Sequence, residues 1–120
     1  MSHRHHILLY GATGFTGIAI LKAIAGSRLF EGQDIAVAGR SESKLIQVLN
    51  DVAAETGNAK VKEYSVILAD TSDQESLNSM ARQAKLIINA VGPYRLHGEG
   101  VVKASIENGT SYIDVAGEPA

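Results

Sequence analysis

The sequence predicts an α/β fold in which a doubly wound parallel sheet, with strand order 3-2-1-4-5, carries helices on both faces. Three observations lead to this prediction. Apolar runs typical of buried strands alternate along the chain with segments of helical periodicity. Three evenly spaced glycines separate the first apolar run from the first helical segment. The 120 residues have the size of one domain and contain no internal linker or repeat.

Five strands are expected from runs of apolar and β-branched residues. The third run is interrupted by polar residues and is the least regular of them. The expected strands are 7–10, 35–38, 61–68, 86–91 and 112–115.

Helices are expected between the strands, because apolar residues recur there three and four positions apart. Two such stripes are Leu45, Val48, Leu49, Val52 and Ala53, and then Leu77, Met80, Ala81 and Ala84.

Polar residues and glycine predict where these helices begin and end. Ser41 is expected to cap the second helix, and Ser72 with Glu75 has the spacing of a capping box for the third. Asn108 and Gly109 are expected to end the fourth helix.

The composition excludes several classes of function. Lys and Arg number 11 against 13 Asp and Glu and form no basic tract, so neither nucleic acid nor anionic lipid is indicated as a partner. Cysteine is absent, which excludes disulfides and thiol catalysis. No apolar run is long enough to span a bilayer, and no secretory signal is present at the N-terminus. A cytoplasmic protein is expected, with no membrane segment in this chain.

The stretch GATGFTG, residues 11–17, joins the first strand to the first helix. In a doubly wound sheet this turn lies at the carboxyl edge, where free helix N–H groups can bind an anion. Gly11 is expected to make the turn, Gly14 to let a pyrophosphate approach, and Gly17 to let the helix pack on the strand. The spacing differs from the commoner G-x-G-x-x-G. A tight turn with a close helix crossing and no ligand is the alternative.

The end of the second strand indicates which dinucleotide binds. NAD-binding domains usually place an Asp or Glu there to accept from the ribose hydroxyl. Here Gly39 is followed by Arg40, which has the charge and the donor fork to bind a 2′-phosphate or to stack on adenine, while Ser41 and Lys44 add donors. NADP is therefore expected rather than NAD. The alternative is that Arg40 is a solvated residue beside a helix start.

The other wall of the cleft is expected after the fourth strand, because the strand order places the switch point between strands one and four. The backbone of Asn89, Ala90, Val91 and Gly92 is expected near the sugar and nicotinamide of the cofactor. Asp70 follows the third strand and is expected at the adenine pocket or at the cap of the next helix.

Side chains able to do acid and base chemistry follow the last two strands. Tyr94 is a candidate proton donor and His97 a candidate acid or base, with Arg95 between them. A packing or surface role is the alternative for these residues. Asp114 and Glu118 flank the end of the fifth strand, where facing the substrate and capping a turn are the two alternatives. No catalytic residue is assigned.

The N-terminal segment MSHRHH carries three of the four histidines. It contains no cysteine, and the sequence offers no second ligand pair with metal spacing. We expect a frayed tail and no metal site.

The segments GATGFTG, VAGRS and KLIINAVGPYRLHGEGVVKASIENGTSYIDVAGEP resemble the N-terminal domain of the saccharopine dehydrogenase-like oxidoreductases, a group that includes trans-acting enoyl reductases. The resemblance covers nearly the whole chain. It implies an NADP-binding Rossmann domain. The positions that match its cofactor residues are Gly11, Ala12, Thr13, Gly14, Phe15, Arg40 and 89–92.

The resemblance also implies a larger C-terminal substrate domain, so residues 1–120 are expected to be the N-terminal Rossmann fragment of a longer protein. A small-molecule substrate is expected to bind through that missing domain. A homodimer of the full-length protein, and its association with membranes or lipid droplets, are left open.

Two functions of different class follow. The first is the cofactor-binding part of an NADP-dependent oxidoreductase, inactive on its own because the substrate domain is missing. The second is a non-catalytic NADP-binding module that regulates a protein partner. The resemblance favours the first.

Overall fold

The structure, a computed structural model, describes residues 4–91 and 99–115. Five strands form one sheet, and every pairing between neighbouring strands is parallel. The strands are β1 (His5–Tyr10), β2 (Ile35–Gly39), β3 (Ser65–Leu68), β4 (Ala84–Asn89) and β5 (Ser111–Asp114). Their order across the sheet is β3-β2-β1-β4-β5, which confirms the predicted fold class and strand order.

Four α-helices connect or follow these strands within the described ranges. They are α1 (Phe15–Ala25), α2 (Glu42–Thr56), α3 (Gln74–Arg82) and α4 (Glu99–Glu107). None of the helices described is long and apolar enough to cross a membrane.

The core has two layers, one on each face of the sheet. Leu8 and Leu9 are neighbours in β1, and because successive strand residues point to opposite faces, they belong to different clusters. Leu8 packs with Leu77 of α3, and Leu9 packs with Leu21 of α1 and Leu45 of α2. Both faces are therefore covered by helices, as expected of a doubly wound sheet.

The third strand is shorter than predicted. Residues 59–63 form a short 3₁₀ helix, in which the Asn58 side chain accepts from the Lys60 N–H at 3.1 Å. Val61 gives the strand-like signal in the sequence because it is fully buried, but it packs in the cluster that contains α2. Only the last four residues of the predicted range pair with β2.

The cap of α3 also differs from the prediction. Asp73, rather than Ser72, occupies the N-cap, and its Oδ1 accepts from the Ser76 N–H at 3.4 Å. The Ser72 N–H instead donates to Asp70 Oδ1 at 2.9 Å. Ser72 therefore belongs to the preceding turn, and the capping box with Glu75 is wrong.

The fourth strand begins and ends two residues earlier than predicted. Ala84 fits the helical stripe of α3, but it pairs with His5 as the first residue of β4. The strand ends at Asn89, where the side-chain Oδ1 accepts from the Val91 N–H at 2.9 Å. This local hydrogen bond turns the chain away from the sheet.

Two other helix boundaries are confirmed. Ser41 Oγ accepts from the Lys44 N–H at 3.4 Å and caps α2. Helix α4 ends at Glu107, and Gly109 follows it with φ +65°.

The expected frayed tail is wrong for residues 4–6. His5 Nδ1 lies 2.7 Å from Asp34 Oδ1, and the Asp34 N–H donates to His6 Nδ1 at 2.8 Å. The Arg4 guanidinium donates to the carbonyl of Asn108 at 2.9 Å. These contacts tie the start of β1 to β2 and to the turn after α4. Among the described residues, no group of three His, Cys, Asp or Glu is arranged to hold a metal ion.

The junction between β1 and α1 depends on two glycines. Gly11 has φ +86°, a conformation that L side chains rarely adopt. A Cβ on Gly17 would lie 2.8 Å from Ala12 Cα and even closer to the Gly11 carbonyl oxygen. The first turn of α1 therefore lies directly against the backbone of Gly11 and Ala12, the two residues that follow β1, and this close approach sets the direction of the helix.

We predict that Gly17→Ala lowers the free energy of unfolding by roughly 1 to 3 kcal/mol, because the added methyl meets backbone that has no room to yield. Urea unfolding at neutral pH measures the change. Gly14→Ala is the matched control, since its Cβ would have no heavy atom nearer than 3.7 Å. Equal losses in the two variants would contradict the assigned role of Gly17.

Candidate functional site

A cleft of 510 Å³ lies at the carboxyl edge of the sheet, where β1, β2 and β4 end beside the start of α1. Its volume is within the range of small-molecule sites. The described residues that line it are Tyr10, Gly11, Thr13, Gly14, Phe15, Thr16, Gly39, Arg40, Thr71, Ala90 and Val91. A smaller recess of 170 Å³ shares Arg40 with the cleft and also includes Asp70.

The N-terminus of α1 contributes to the cleft without a capping side chain. Gly14 is the N-cap residue, and the first turn contains no acidic residue. In α2 and α3, by contrast, Ser41 and Asp73 cap the helix and an acidic residue lies in the first turn. Free N–H groups and the helix dipole both favour an anion at such an end. Among these three helices, α1 alone presents its positive end without a side-chain cap.

The space above this helix end is open. A Cβ on Gly14 would have only the Gly11 carbonyl oxygen within 4 Å, at 3.7 Å. Thr13 and Phe15 on either side are exposed, and Phe15 is 93% exposed despite its apolar side chain. A ligand can therefore reach the backbone of the turn.

Arg40 lies at the end of β2, on the opposite side of the cleft from Val91. Its side chain is exposed, and the guanidinium makes no hydrogen bond or ion pair with any of residues 4–91 or 99–115. The donor fork is thus available to an anionic group of a ligand.

Tyr10 and Asp70 lie near Arg40. Burial, followed by the charge of Asp70, raises the pKa of Tyr10 to about 12, while Arg40 acts in the opposite direction. Hydrogen bonds from Ser72 hold the pKa of Asp70 below its ordinary value, and Arg40 adds to this effect. At neutral pH the phenol is therefore neutral and the carboxylate is ionised.

Asn89 shapes the wall of the cleft formed by the end of β4. The residue is fully buried and uses both ends of its amide. Its Oδ1 accepts from the Val91 N–H, and its Nδ2 donates to Tyr112 Oη at 2.9 Å. Val91 in turn lies close to Gly11: a Cβ added to Gly11 would be 2.5 Å from Val91 Cγ2.

The structure brings seven of the fourteen sequence-predicted site residues to this cleft: Gly11, Thr13, Gly14, Phe15, Arg40, Ala90 and Val91. Asp70 lines the smaller recess instead, and Asn89 is buried and does not line the cleft. Ala12 and Gly17 are buried beneath the turn and do not line it. Ser41 caps α2, and Lys44 is exposed on the first turn of that helix without lining the cleft. Gly92 lies outside the described residues.

Sequence reasoning missed four lining residues: Tyr10, Thr16, Gly39 and Thr71. Gly39 precedes Arg40, and Thr16 lies within the glycine-rich segment, so proximity in sequence was a signal for both. Thr71 lies in the turn between β3 and α3, and only the packing of that turn brings it to the cleft. Tyr10 belongs to an apolar strand pattern, which gives no sign that the residue lines a cleft.

The candidate acid and base residues after the fourth strand, namely Tyr94, Arg95 and His97, lie outside the described residues, as does Glu118. Asp114 is described: it ends β5, and its Oδ2 accepts from the Tyr112 hydroxyl at 3.3 Å.

A parallel sheet in this order, with a glycine-rich turn and an uncapped helix at its switch point, defines a Rossmann-type domain. Comparison with known families makes the assignment more specific. The family model described as the saccharopine dehydrogenase NADP binding domain matches residues 7–119. The chain belongs to this family, which confirms the resemblance noted in the sequence.

Curated relatives agree with this assignment. The chain is 54% identical over 117 residues to a lipid droplet localized protein of Caenorhabditis elegans, covering 98% of the chain and 27% of that protein. It is 49% identical over 119 residues to a saccharopine dehydrogenase-like oxidoreductase of Mus musculus, covering 95% and 28%. The chain thus spans about a quarter of the length of these relatives.

Among solved structures, apo saccharopine dehydrogenase (L-Glu forming) from Saccharomyces cerevisiae matches with a TM-score of 0.66 at 21% identity, covering 97% of this chain and 22% of that one. At this identity the likeness shows the fold. The family assignment makes NADP the cofactor of this domain, as expected. The regulatory alternative finds no support in these comparisons.

We predict that Tyr10 makes stability fall at alkaline pH. Below about pH 10 the phenol is protonated in both the folded and the unfolded chain. Above about pH 10 the phenol of the unfolded chain ionises first. The free energy of unfolding therefore decreases until the pH reaches the folded-state pKa of about 12. Urea unfolding at about pH 8 and about pH 11 should therefore show a smaller alkaline loss in Tyr10→Phe than in the parent chain. An identical loss in both would contradict the burial of this phenol.

Proposed function

We propose that this domain binds NADP across the turn between β1 and α1 and is the cofactor-binding part of an oxidoreductase. The observation that carries the proposal is the exposed guanidinium of Arg40, which has no hydrogen-bond or ion-pair partner among the described residues, in a cleft that also contains the uncapped end of α1. Two sources of positive potential in one cleft suit a ligand with two anionic groups, as NADP has in its pyrophosphate and 2′-phosphate.

The pyrophosphate is assigned to the turn of residues 11–17. The N–H groups at the start of α1 would donate to it, since no side chain caps them. Gly14 leaves the space that the phosphates need, and Thr13 and Phe15 flank it. Ala12 and Gly17 would act indirectly, by packing the turn against the sheet.

The adenosine end is assigned to the side of β2. Arg40 would bind the 2′-phosphate, and Ser41 and Lys44, which follow it, would add donors after small side-chain rotations. Asp70 borders the recess that shares Arg40, where the adenine would lie. Tyr10 would form the floor between them as a neutral phenol.

The nicotinamide end is assigned to the side of β4. Ala90 and Val91 line the cleft there, Asn89 holds their backbone, and Gly92 follows them in the chain. When bound, NADP supplies or accepts a hydride. The residues of this domain would orient the ring and exclude water from one of its faces.

A second recess, of 360 Å³, lies at the amino edge of the sheet and includes Phe30, Asp34 and Tyr64. It is a poorer candidate for the dinucleotide, because ligands of open parallel sheets bind beyond the carboxyl ends of the strands. Its ionisable side chains are also of mixed charge: Glu31, Asp34, Lys60 and Glu63.

For the whole protein, we propose that a small-molecule substrate binds to residues outside this domain, since the chain spans about a quarter of the relatives it matches. The fragment alone would then bind NADP without turnover. Lipid-droplet association of the whole protein rests on the name of the Caenorhabditis elegans relative. A cytoplasmic location and a homodimer stay predictions.

We predict that NADPH binds about ten- to a hundredfold more tightly than NADH, because a charge-assisted contact to the 2′-phosphate contributes roughly 1.5 to 3 kcal/mol. Arg40→Ala should remove most of this margin and leave NADH affinity nearly unchanged. Arg40→Asp should reverse the preference, since a carboxylate accepts from the 2′-hydroxyl and repels the phosphate. Calorimetry at one fixed salt concentration measures both constants.

Arg82→Ala is the matched control, because Arg82 is an exposed arginine on α3 that pairs with Glu75 and does not line the cleft. It should not alter the NADPH to NADH ratio. Equal affinities of the parent chain for both cofactors, or an Arg40→Ala variant that weakens both alike, would remove the assignment of Arg40 to the 2′-phosphate.

A further inference from the structure

We infer that Tyr112 and Asp114, on the edge strand β5, are positioning residues for the nicotinamide end of the cofactor and act through Asn89. The inference rests on the proposed placement of NADP in the cleft. Tyr112 and Asp114 do not line the cleft themselves, and the sequence assigned Tyr112 to the fifth strand alone. Their effect would pass through a chain of hydrogen bonds that ends at the backbone of the cleft wall.

The chain of hydrogen bonds runs across the carboxyl ends of β5 and β4. Asn89 pairs in register with Asp114, and its Nδ2 donates to Tyr112 Oη at 2.9 Å. The Tyr112 hydroxyl donates to Asp114 Oδ2 at 3.3 Å. At the other end, Asn89 Oδ1 accepts from the Val91 N–H at 2.9 Å. Val91 lines the cleft, so these hydrogen bonds connect the edge strand with the site.

The chemistry of each group fixes which atom donates and which accepts in these hydrogen bonds. A backbone N–H can only donate, so the Asn89 oxygen must face Val91 and its NH₂ must face Tyr112. The Tyr112 oxygen is then an acceptor toward Asn89, and its single proton can be donated to the Asp114 carboxylate. Removing the hydroxyl would leave the Asn89 NH₂ without this acceptor in a fully buried position.

The consequence falls on one end of the cleft. Asn89 sets the point at which β4 turns away from the sheet, and the Val91 side chain packs against Gly11. Arg40 and the recess with Asp70 lie on the other side of β1, beyond this hydrogen-bond chain. Loss of the Tyr112 hydroxyl should therefore disturb the nicotinamide side and leave the adenosine side intact.

Two ligands separate these ends: NADP, and 2′,5′-ADP, which has the adenosine and 2′-phosphate but no nicotinamide. By calorimetry, Tyr112→Phe should bind NADP about five- to tenfold more weakly, as expected for one lost buried hydrogen bond, and should bind 2′,5′-ADP as the parent chain does. Asp114→Ala should show the same selectivity with a smaller loss of about two- to threefold, since its bond to Tyr112 is longer. If Tyr112→Phe does not fold, the Asp114→Ala variant alone tests the inference.

Tyr64→Phe is the matched control. Tyr64 is a half-buried tyrosine at the amino edge of the sheet, and its variant should leave both affinities unchanged. Equal loss of both ligands in Tyr112→Phe and Asp114→Ala, or no loss of either, would overturn the positioning role. Failure of the parent chain to bind NADP or 2′,5′-ADP would overturn the proposed function, and the inference with it.

Discussion

The contact between the first turn of α1 and the end of β1 is the constraint on which the rest of the structure depends. The helix crosses so close to the backbone of Gly11 and Ala12, which directly follow β1, that only a hydrogen fits on the Gly17 Cα. The turn itself requires the positive φ of Gly11. This contact aims the N-terminus of α1 at the carboxyl edge of the sheet. It also brings Gly11 against Val91, so that the ends of β1 and β4 form one wall. A side chain at either glycine would separate the helix, the turn and the neighbouring strand.

The same junction determines the electrostatics of the cleft. The uncapped helix end and the exposed Arg40 supply positive potential, whereas the nearby carboxylate of Asp70 accepts a hydrogen bond from the Ser72 N–H. Tyr10, which is buried near Arg40 and Asp70, stays neutral at physiological pH because burial raises its pKa to about 12. The cleft therefore favours anionic groups, because no acidic residue at the end of β2 neutralises the charge of Arg40. This arrangement agrees with the NADP-binding family to which the chain belongs.

The strands and helices could be predicted because each segment displays its own periodicity. Their alternation, with a glycine-rich turn after the first strand, then indicates a doubly wound parallel sheet. Two boundaries were predicted wrongly for different reasons. Val61 is buried like a strand residue but packs from a 3₁₀ helix, and Ala84 fits both the helical and the strand pattern. Competition between neighbouring polar groups placed the α3 cap at Asp73 instead of Ser72. In the site, the glycines and Arg40 follow a recognisable local pattern. Thr71 reaches the cleft only through the packing of the turn after β3. The hydrogen bond between Asn89 and Tyr112 requires the register of β4 and β5.

The most direct measurement of the central claim is the affinity of a Gly14→Val variant for NADP. The Gly14 Cβ position has ample space within the protein, so the variant should fold with nearly unchanged stability. Its branched side chain would nevertheless occupy the place assigned to the pyrophosphate, and calorimetry should show at least a roughly tenfold loss of affinity. Ala19→Val, at an exposed position of α1 away from the cleft, should bind NADP normally. Unchanged NADP affinity in a folded Gly14→Val protein would show that the dinucleotide binds elsewhere.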